Sequence, residues 1–357
     1  MKKLRIAQIA PLWEQLPPPL YGGTERVVSL LTEGLVAKGH DVTLFACGNS
    51  ITRAKLISVY ARPLFRDGIP WTDVIYPTLN ITAAFDRAQD FDIIHMHLNK
   101  SSDYLAMPLA RPISEKVVFT LHFPYPLVQN RVSRHEYFQK YRDMNFVSIS
   151  NTQREKGENL NWLGTVYNGI DLGPYSFHQK PKDYFAWLGK FNPDKGVVEA
   201  IQAVKKAGEK LIMAGKVDEM EKDDYRYFKE QVEPHIDGHQ IQFIGEADDK
   251  KKNELFGNAK AFLNPIKWNE PFGLVMTEAM ATGTPVISFA RGAATEIITD
   301  AQTGYLVNNI DEMVEKMKQL NKINRHKCRL RVEEYFSGPT MVEGYEKIYG
   351  KLHYVTL

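Results

Sequence analysis

Short apolar, β-branched runs alternate with longer amphipathic stretches along the whole chain. In the first half, the runs at 4–10, 41–46, 92–97, 116–121 and 146–149 have the length and residue types of strands. Between the first two, Val27, Val28, Leu31 and Leu35 fall on one helical face, which predicts a helix over 24–38. Thr24 is its expected N-cap and Gly39 its C′ residue. Strand–helix alternation of this kind predicts a parallel sheet covered on both faces.

The turn-rich run Asn168-Gly169-Ile170-Asp171-Leu172-Gly173-Pro174 reads as a linker, after which the pattern restarts. Strands are predicted at 184–188, 210–214, 240–244, 261–264 and 285–289, and helices at 196–207 and 250–258. The last segment places Met341, Tyr345, Ile348 and Tyr349 at helical spacing. The expected organisation is an N-terminal Rossmann-like domain at 1–171, a second Rossmann-like domain at 172–336, and a C-terminal helix in 337–357 returning to the first domain. The expected fold class is α/β, two doubly wound domains facing a central cleft. In open α/β sheets ligands sit at the carboxyl ends of the strands, so the loops that follow strands are where chemistry is expected.

Composition narrows the class. With 357 residues, two domains of ordinary size are expected. Hydrophobic residues at 43% and charged residues at 25% supply a core and argue against wholesale disorder. A net charge of +2, without an aromatic-interleaved basic stripe, argues against a nucleic-acid partner. Cys47 and Cys328 have neither metal-like nor redox-like spacing and read as free thiols of a reducing, cytoplasmic compartment. Arg5 and Gln8 interrupt the opening apolar run, which makes it a poor signal peptide and a good strand. No run approaches the ~20 apolar residues of a membrane span, so any membrane contact would be peripheral. Neither G-x-G-x-x-G after a strand nor G-x-x-x-x-G-K-[ST] occurs, against a dinucleotide oxidoreductase and a P-loop enzyme.

The most informative run is Asn269-Glu270-Pro271-Phe272-Gly273-Leu274-Val275-Met276-Thr277-Glu278-Ala279-Met280-Ala281-Thr282-Gly283-Thr284-Pro285. A tight loop at Pro271 and Gly273 leads into a helix that runs to Thr282, with Gly283 ending it. The first amides of such a helix lack intrahelical partners and form a natural phosphate site. Glu270 precedes the helix, and Glu278 is expected about two turns into it. A carboxylate repels phosphate, so this pair suits sugar hydroxyls on either side of bound phosphates. E-P-F-G-L-V-x-x-E-A-M-A-x-G-x-P-V resembles the E-x7-E signature of glycosyltransferase family 4, retaining enzymes of the GT-B fold. The resemblance implies that Glu278 binds the ribose hydroxyls of a nucleotide donor and that Glu270 sits by the donor sugar. It also implies that Phe272, Gly273, Leu274 and Val275 contact the donor through their backbone.

Four further matches resemble the same family, and they fall along the chain in the right order. Gly189-Lys190-Phe191-Asn192-Pro193-Asp194-Lys195-Gly196 carries two cations on a loop after a strand, suited to clamping a diphosphate as the leaving group gains charge. Arginine is common in the family at the first position, and Lys190 brings charge without a bidentate fork. Pro17-Pro18-Pro19-Leu20-Tyr21-Gly22-Gly23-Thr24-Glu25 resembles the G-G-x-E loop, whose glycines Gly22 and Gly23 let backbone approach the donor. Glu25 is also ordinary first-turn helix chemistry. His122, after the strand at 116–121, resembles the histidine that contacts the donor sugar near the reacting carbon. Asn168-Gly169-Ile170-Asp171 resembles the linker-side N-G-[VI]-D and is expected to be mainly structural.

His95 and His97 share one face of a strand. The spacing suggests metal, but no third ligand is evident, leaving a structural or acceptor-side role. The stretch from Phe123-Pro124-Tyr125-Pro126 to Asp143 includes Arg131, Arg134, His135, Lys140 and Arg142. It reads as a solvated basic helix, an acceptor contact or a contact with an anionic membrane surface.

The expectation is therefore a retaining glycosyltransferase. It would move a hexosyl group from a nucleotide-diphosphate sugar, a UDP-sugar and UDP-glucose first, to a hydroxyl acceptor, by front-face displacement. Glu270, His122, Lys195 and Lys190 would carry the chemistry. No cofactor and no metal ligands are expected, as no D-x-D precedes a loop of the second domain. The acceptor, whether saccharide, lipid-linked glycan or small molecule, is not encoded in any motif. The alternatives are a nucleotide-sugar epimerase or a phosphorylase on the same fold, and a catalytically silent sugar-nucleotide binding protein.

Overall fold

A computed structural model describes residues 2–20, 22–125, 132–155, 159–219 and 221–355. Tyr21, Pro126 and Arg131, named above, lie outside the described residues. The chain divides into two compact units, Met1–Ile170 together with Gly338–Leu357, and Asp171–Ser337.

The first unit is built on seven strands: β1 (Arg5–Ile9), β2 (Asp41–Phe45), β3 (Lys55–Ile57), β4 (Ile93–Leu98), β5 (Val117–Leu121), β6 (Asn145–Ser148) and β7 (Trp162–Thr165). They lie in the order β3-β2-β1-β4-β5-β6-β7, and every pairing is parallel. One face of the sheet is apolar: Ala7, Ile9, Ile94, Met96, Phe119 and Phe146 are all buried in a single cluster. The opposite face carries polar side chains at its centre. Register aligns Gln8 with His95, and His97 with Thr120, so these four residues share that face. The C-terminal helix, Gly338–Val355, covers them with Tyr345 and Tyr349, one turn apart and both fully buried. It also lies close to the first helix, Gly23–Ala37, where a Cβ at Gly34 would meet a Val342 methyl at 2.4 Å.

The first helix begins one residue earlier than the apolar spacing predicts. Gly22, at φ 145°, occupies the cap position, and no side chain caps the helix; Thr24 lies inside it. A backbone turn at glycine replaces the expected threonine cap.

The second unit has six strands: β8 (Phe185–Leu188), β9 (Leu211–Ala214), β10 (Ile241–Phe243), β11 (Phe262–Asn264), β12 (Val286–Phe289) and β13 (Gly304–Val307). Their order is β10-β9-β8-β11-β12-β13, again all parallel. Both units are thus doubly wound. Strand order reverses between β1 and β4 in the first and between β8 and β11 in the second, and the crevice at such a reversal is where ligands bind. Among the described residues no helix is long and apolar enough to cross a membrane. Both cysteines are buried free thiols.

Candidate active site

In the second unit, the loops after β8 and β11 meet at the strand-order reversal. Asn192 accepts a bond from the Lys195 amide at 3.1 Å and caps a short turn, Pro193–Lys195, that fixes the lysine's direction. The Lys267 amide donates to the Asp194 carbonyl at 2.8 Å and ties the two loops together. The Lys195 ammonium pairs with Oε2 of Glu270 and lies 5.0 Å from the Trp268 ring centre. Trp268 donates its indole N–H to the same carboxylate oxygen at 3.0 Å. Glu270 is therefore held by a cation and a neutral donor at once.

A third loop, after β12, supports this arrangement from the backbone side. The Ala293 amide donates to the Glu270 carbonyl at 2.9 Å. Gly292, at φ 52°, packs so closely that a Cβ there would lie 2.4 Å from that carbonyl oxygen. The helix Leu274–Ala281 follows Glu270 directly, with Gly273 at φ 93° as its cap. Phe272 is buried against Phe336, ring centres 5.8 Å apart, while Gly273, Leu274 and Val275 are half-buried at the helix start. Because the helix starts at Leu274, Glu278 sits about one turn in rather than two. Glu278 is buried, and its Oε1 accepts a bond from the buried Lys252 at 2.8 Å. Lys252 stands on the preceding helix, Asp249–Gly257.

The two lysines of the predicted clamp have separate partners. Lys190 binds Asp224 at 2.7 Å and Asp218 at 3.6 Å, and Lys216 approaches the same Asp218 oxygen at 3.2 Å. Burial pulls the Lys190 ammonium towards deprotonation, but the Asp224 bond and the Asp218 and Glu221 charges outweigh it, and its pKa is raised. Lys190 is a firmly held cation, and it belongs to a cluster of acids that does not include Glu270.

In the first unit, Glu25 is buried in the first turn of the Gly23–Ala37 helix, beside Gly22. Burial pushes its carboxyl up to about 7. Asp103, close enough to add to that shift, accepts bonds from the Asn99 and Lys100 amides and is itself pushed up to about 6, again by burial. His122 sits at the carboxyl end of β5, its amide bonded to the Leu98 carbonyl at 2.9 Å. Burial lowers its imidazole to about 3. His95 and His97 are fully buried, which holds both well below the ordinary histidine range. They bond to Thr120, Tyr349, Gln8 and His122. Among the described residues no group of three or more His, Cys, Asp or Glu is placed to hold a metal ion. In the basic stretch, two side chains of the helix Val132–Lys140 reach the turn Ser101–Leu105: Arg134 donates to Ser101 at 2.7 Å, and Tyr137 donates to the Tyr104 carbonyl.

Geometry thus joins Lys195 to Glu270 beside the Leu274–Ala281 helix, and sets Lys190 and Glu278 in ion pairs of their own. Trp268, Lys252, Asp218, Asp224 and Gly292 are part of the surroundings and carry no local motif. Trp268 lies one residue outside the informative run, and its position two before Glu270 is the only signal that could have marked it.

Two doubly wound units, one of them with a cation and a carboxylate paired at its strand-order reversal, define an α/β scaffold that binds its ligand at the carboxyl ends of the strands. Comparison places it further. Residues 21–173 match the family model Glycosyltransferase Family 4, and residues 175–335 match Glycosyl transferases group 1. The two matches adjoin, and the chain belongs to the family 4 glycosyltransferases of the GT-B fold. It is similar to an uncharacterised glycosyltransferase of Methanocaldococcus jannaschii, 24% identical over 341 residues, with 85% of each chain covered. It is also similar to the phosphatidyl-myo-inositol mannosyltransferase of Mycobacterium leprae, 23% identical, covering 85% of this chain and 83% of that one. The solved structure of Anabaena HepE in complex with UDP-glucose shares the fold at a TM-score of 0.72, with 17% identity over 98% of this chain and 100% of that chain.

Proposed function

We propose that this glycosyltransferase is a retaining hexosyltransferase that takes its sugar from a UDP-sugar, UDP-glucose first, and passes it to a hydroxyl acceptor without a metal ion. The observation that carries the reading is the Lys195–Glu270 pair at the β8/β11 reversal, beside the amino end of the Leu274–Ala281 helix. Helix amides and an ammonium there suit a diphosphate, and the carboxylate suits a sugar hydroxyl. Glu278 has only Oε1 bonded among the described residues, which leaves its second oxygen for the ribose. Lys190 supplies charge to the same loop through a fixed position rather than a free one. The family resemblance assigns His122 to the transferred sugar, and Gly22, Gly23 and the start of the first helix to the diphosphate. The UDP preference is supported by the structural neighbour that binds UDP-glucose.

The chemistry proposed is front-face displacement. The bond from the anomeric carbon to the phosphate oxygen breaks as the acceptor oxygen bonds to that carbon from the same side. The departing phosphate takes the acceptor's proton, and Lys195 steadies its growing charge.

Calorimetry with UDP-, GDP- and ADP-sugars, with and without EDTA, followed by NMR of the product anomer, tests this. Donor binding that survives EDTA and a product keeping the donor's anomeric configuration are expected. An inverted anomer, or binding abolished by EDTA, would refute the mechanism. Conversion of the donor with no acceptor present would point to the epimerase instead.

A further inference from the structure

The buried polar face of the first unit forms one continuous chain of hydrogen bonds whose direction can be worked out. Gln8 lies at its centre. Its amide nitrogen donates to the Tyr349 hydroxyl at 3.0 Å, and its Oε1 faces Nε2 of His97 at 2.9 Å. His97 Nδ1 meets Nε2 of His122 at 3.0 Å. On the other branch, the Tyr349 hydroxyl meets His95 Nδ1 at 2.8 Å, and His95 Nε2 meets Thr120 Oγ1 at 2.7 Å. Thr120 then meets the Tyr345 hydroxyl at 3.0 Å.

We propose that Gln8 is a positioning residue which, through His97, holds His122 as its Nε2–H tautomer, so that His122 offers a bare Nδ1 lone pair to a sugar hydroxyl. An amide oxygen only accepts, so His97 Nε2 carries the hydrogen. A neutral imidazole carries one hydrogen, so His97 Nδ1 accepts and His122 Nε2 donates. That leaves His122 Nδ1 without a hydrogen, and it has no partner among the described residues. On the other branch, Tyr349 accepts from Gln8, gives its own hydrogen to His95 Nδ1, and leaves His95 as Nε2–H. Turning the Gln8 amide over would reverse the bonds of both branches as far as Thr120 and put an N–H on His122 Nδ1. One amide therefore decides whether a side chain two hydrogen bonds away is a donor or an acceptor. An acceptor recognises a hydroxyl and disfavours a phosphate oxygen, which fits the sugar end of a nucleotide donor. The significance for catalysis rests on the placement of His122 by the transferred sugar; the tautomer assignment does not.

The test uses the full chain labelled with ¹⁵N-histidine, with His122 assigned by comparison with His122→Asn. Long-range ¹H–¹⁵N spectra should show His122 as a single Nε2–H tautomer in the native protein. Gln8→Leu removes the acceptor and should give a mixture of both tautomers. Tyr349→Phe, which frees the other end of the amide, should give the same mixture and stands in if Gln8→Leu does not fold. Tyr345→Phe, beyond Thr120 at the far end, should leave the single form. In Gln8→Leu, affinity for UDP-glucose should fall about tenfold while affinity for UDP alone is unchanged, the loss expected for one weakened hydrogen bond to the sugar. An Nδ1–H tautomer in the native protein, or a single Nε2–H form surviving in both Gln8→Leu and Tyr349→Phe, overturns the proposal. Mixed tautomers with unchanged UDP-glucose affinity would keep Gln8 as the positioning residue and remove His122 from the sugar contact.

Discussion

At the scale of single residues, the pairing pattern separates effects on rate from effects on stability. Lys195 is half-buried and pairs with Glu270, so its loss disturbs the proposed leaving-group site directly. Lys195→Ala should lower turnover by ~10²–10³, as for removal of one donor to a developing oxyanion, with the melting temperature little changed. Near-native turnover would remove Lys195 from the chemistry. Glu278 is different, because its partner is buried too. Glu278→Ala takes from the buried Lys252 ammonium its 2.8 Å partner and leaves it the longer 3.7 Å approach to Asp249, which should destabilise the fold by about 3 kcal/mol, beyond any weakening of donor binding. Adding Lys252→Met should restore most of that stability without restoring donor affinity, and chemical denaturation beside calorimetry separates the two. Glu25 offers a pH test. Its carboxyl is lifted from 4.5 to about 7 by burial. The folded protein therefore keeps a proton that the unfolded chain has released, and the stability this provides is full below pH 4.5 and lost as pH rises through 7. Glu25→Gln cannot ionise. Its stability should draw ahead of the native protein with rising pH, levelling above pH 7 at a difference of order 3 kcal/mol. A difference that stayed constant from pH 4.5 to 8.5 would refute the burial account.

At the scale of elements, the central strands were legible, and of the four edge strands only β10, predicted at 240–244 and observed at Ile241–Phe243, was. The strands at the middle of each sheet are buried on both faces and read as short runs rich in apolar and β-branched residues, broken in β1 and β4 by Gln8, His95 and His97, yet within a residue or two of their observed ends. The strands missed from sequence are β3, β7 and β13, and all three are edges. Edge strands are short and only half covered: β3 has three residues with no buried position, and β7 contains Gly164. The loops that end central strands were equally legible, because glycine, proline and charge cluster there by need. Their long-range partners were not. Glu278 and Lys252 are 26 positions apart on two helices, and no periodicity within either announces the other. The His95/His97 spacing was visible, but Gln8 and Tyr349, which decide what those rings do, lie on other elements. The contact between the β12 loop and Glu270 yields a prediction at this scale. Gly292→Ala would place a Cβ against backbone that cannot easily yield, and should displace the Glu270 loop. A shift of about 1 Å at a reacting centre costs on the order of 10²-fold in rate, so turnover should fall by that order while the Leu274–Ala281 helix persists. Unchanged turnover would show that the loop tolerates the added carbon.

At the scale of the whole molecule, ligand binding and folding are linked. A donor that binds only the folded chain adds about 2.7 kcal/mol of stability at 100 times its dissociation constant. Thermal unfolding with UDP-, GDP- and ADP-sugars should therefore show a marked shift for one nucleotide, the same with EDTA as without. A shift that vanished with EDTA would bring a metal ion into the donor site. Three histidines of the first unit, His95, His97 and His122, impose an acid limit on the same molecule. They are held neutral by burial, whereas the unfolded chain takes up protons as pH falls below 6.5. The stability that comes from keeping them neutral is present above that value and lost below it.

The last helix belongs to the first unit, while everything between residues 171 and 337 belongs to the second. The order in which a ribosome delivers the chain is therefore not the order in which the domains can be completed. The second unit has all of its residues once synthesis reaches 337, but the first must wait for Tyr345 and Tyr349 to cover Gln8, His95 and His97. At ~5–20 residues per second, the stretch from residue 170 to residue 357 takes roughly 10–40 s to translate. Throughout that interval the histidine face of the first sheet lacks the cover that Tyr345 and Tyr349 give it in the folded chain. The domain that is translated first is the one that is finished last.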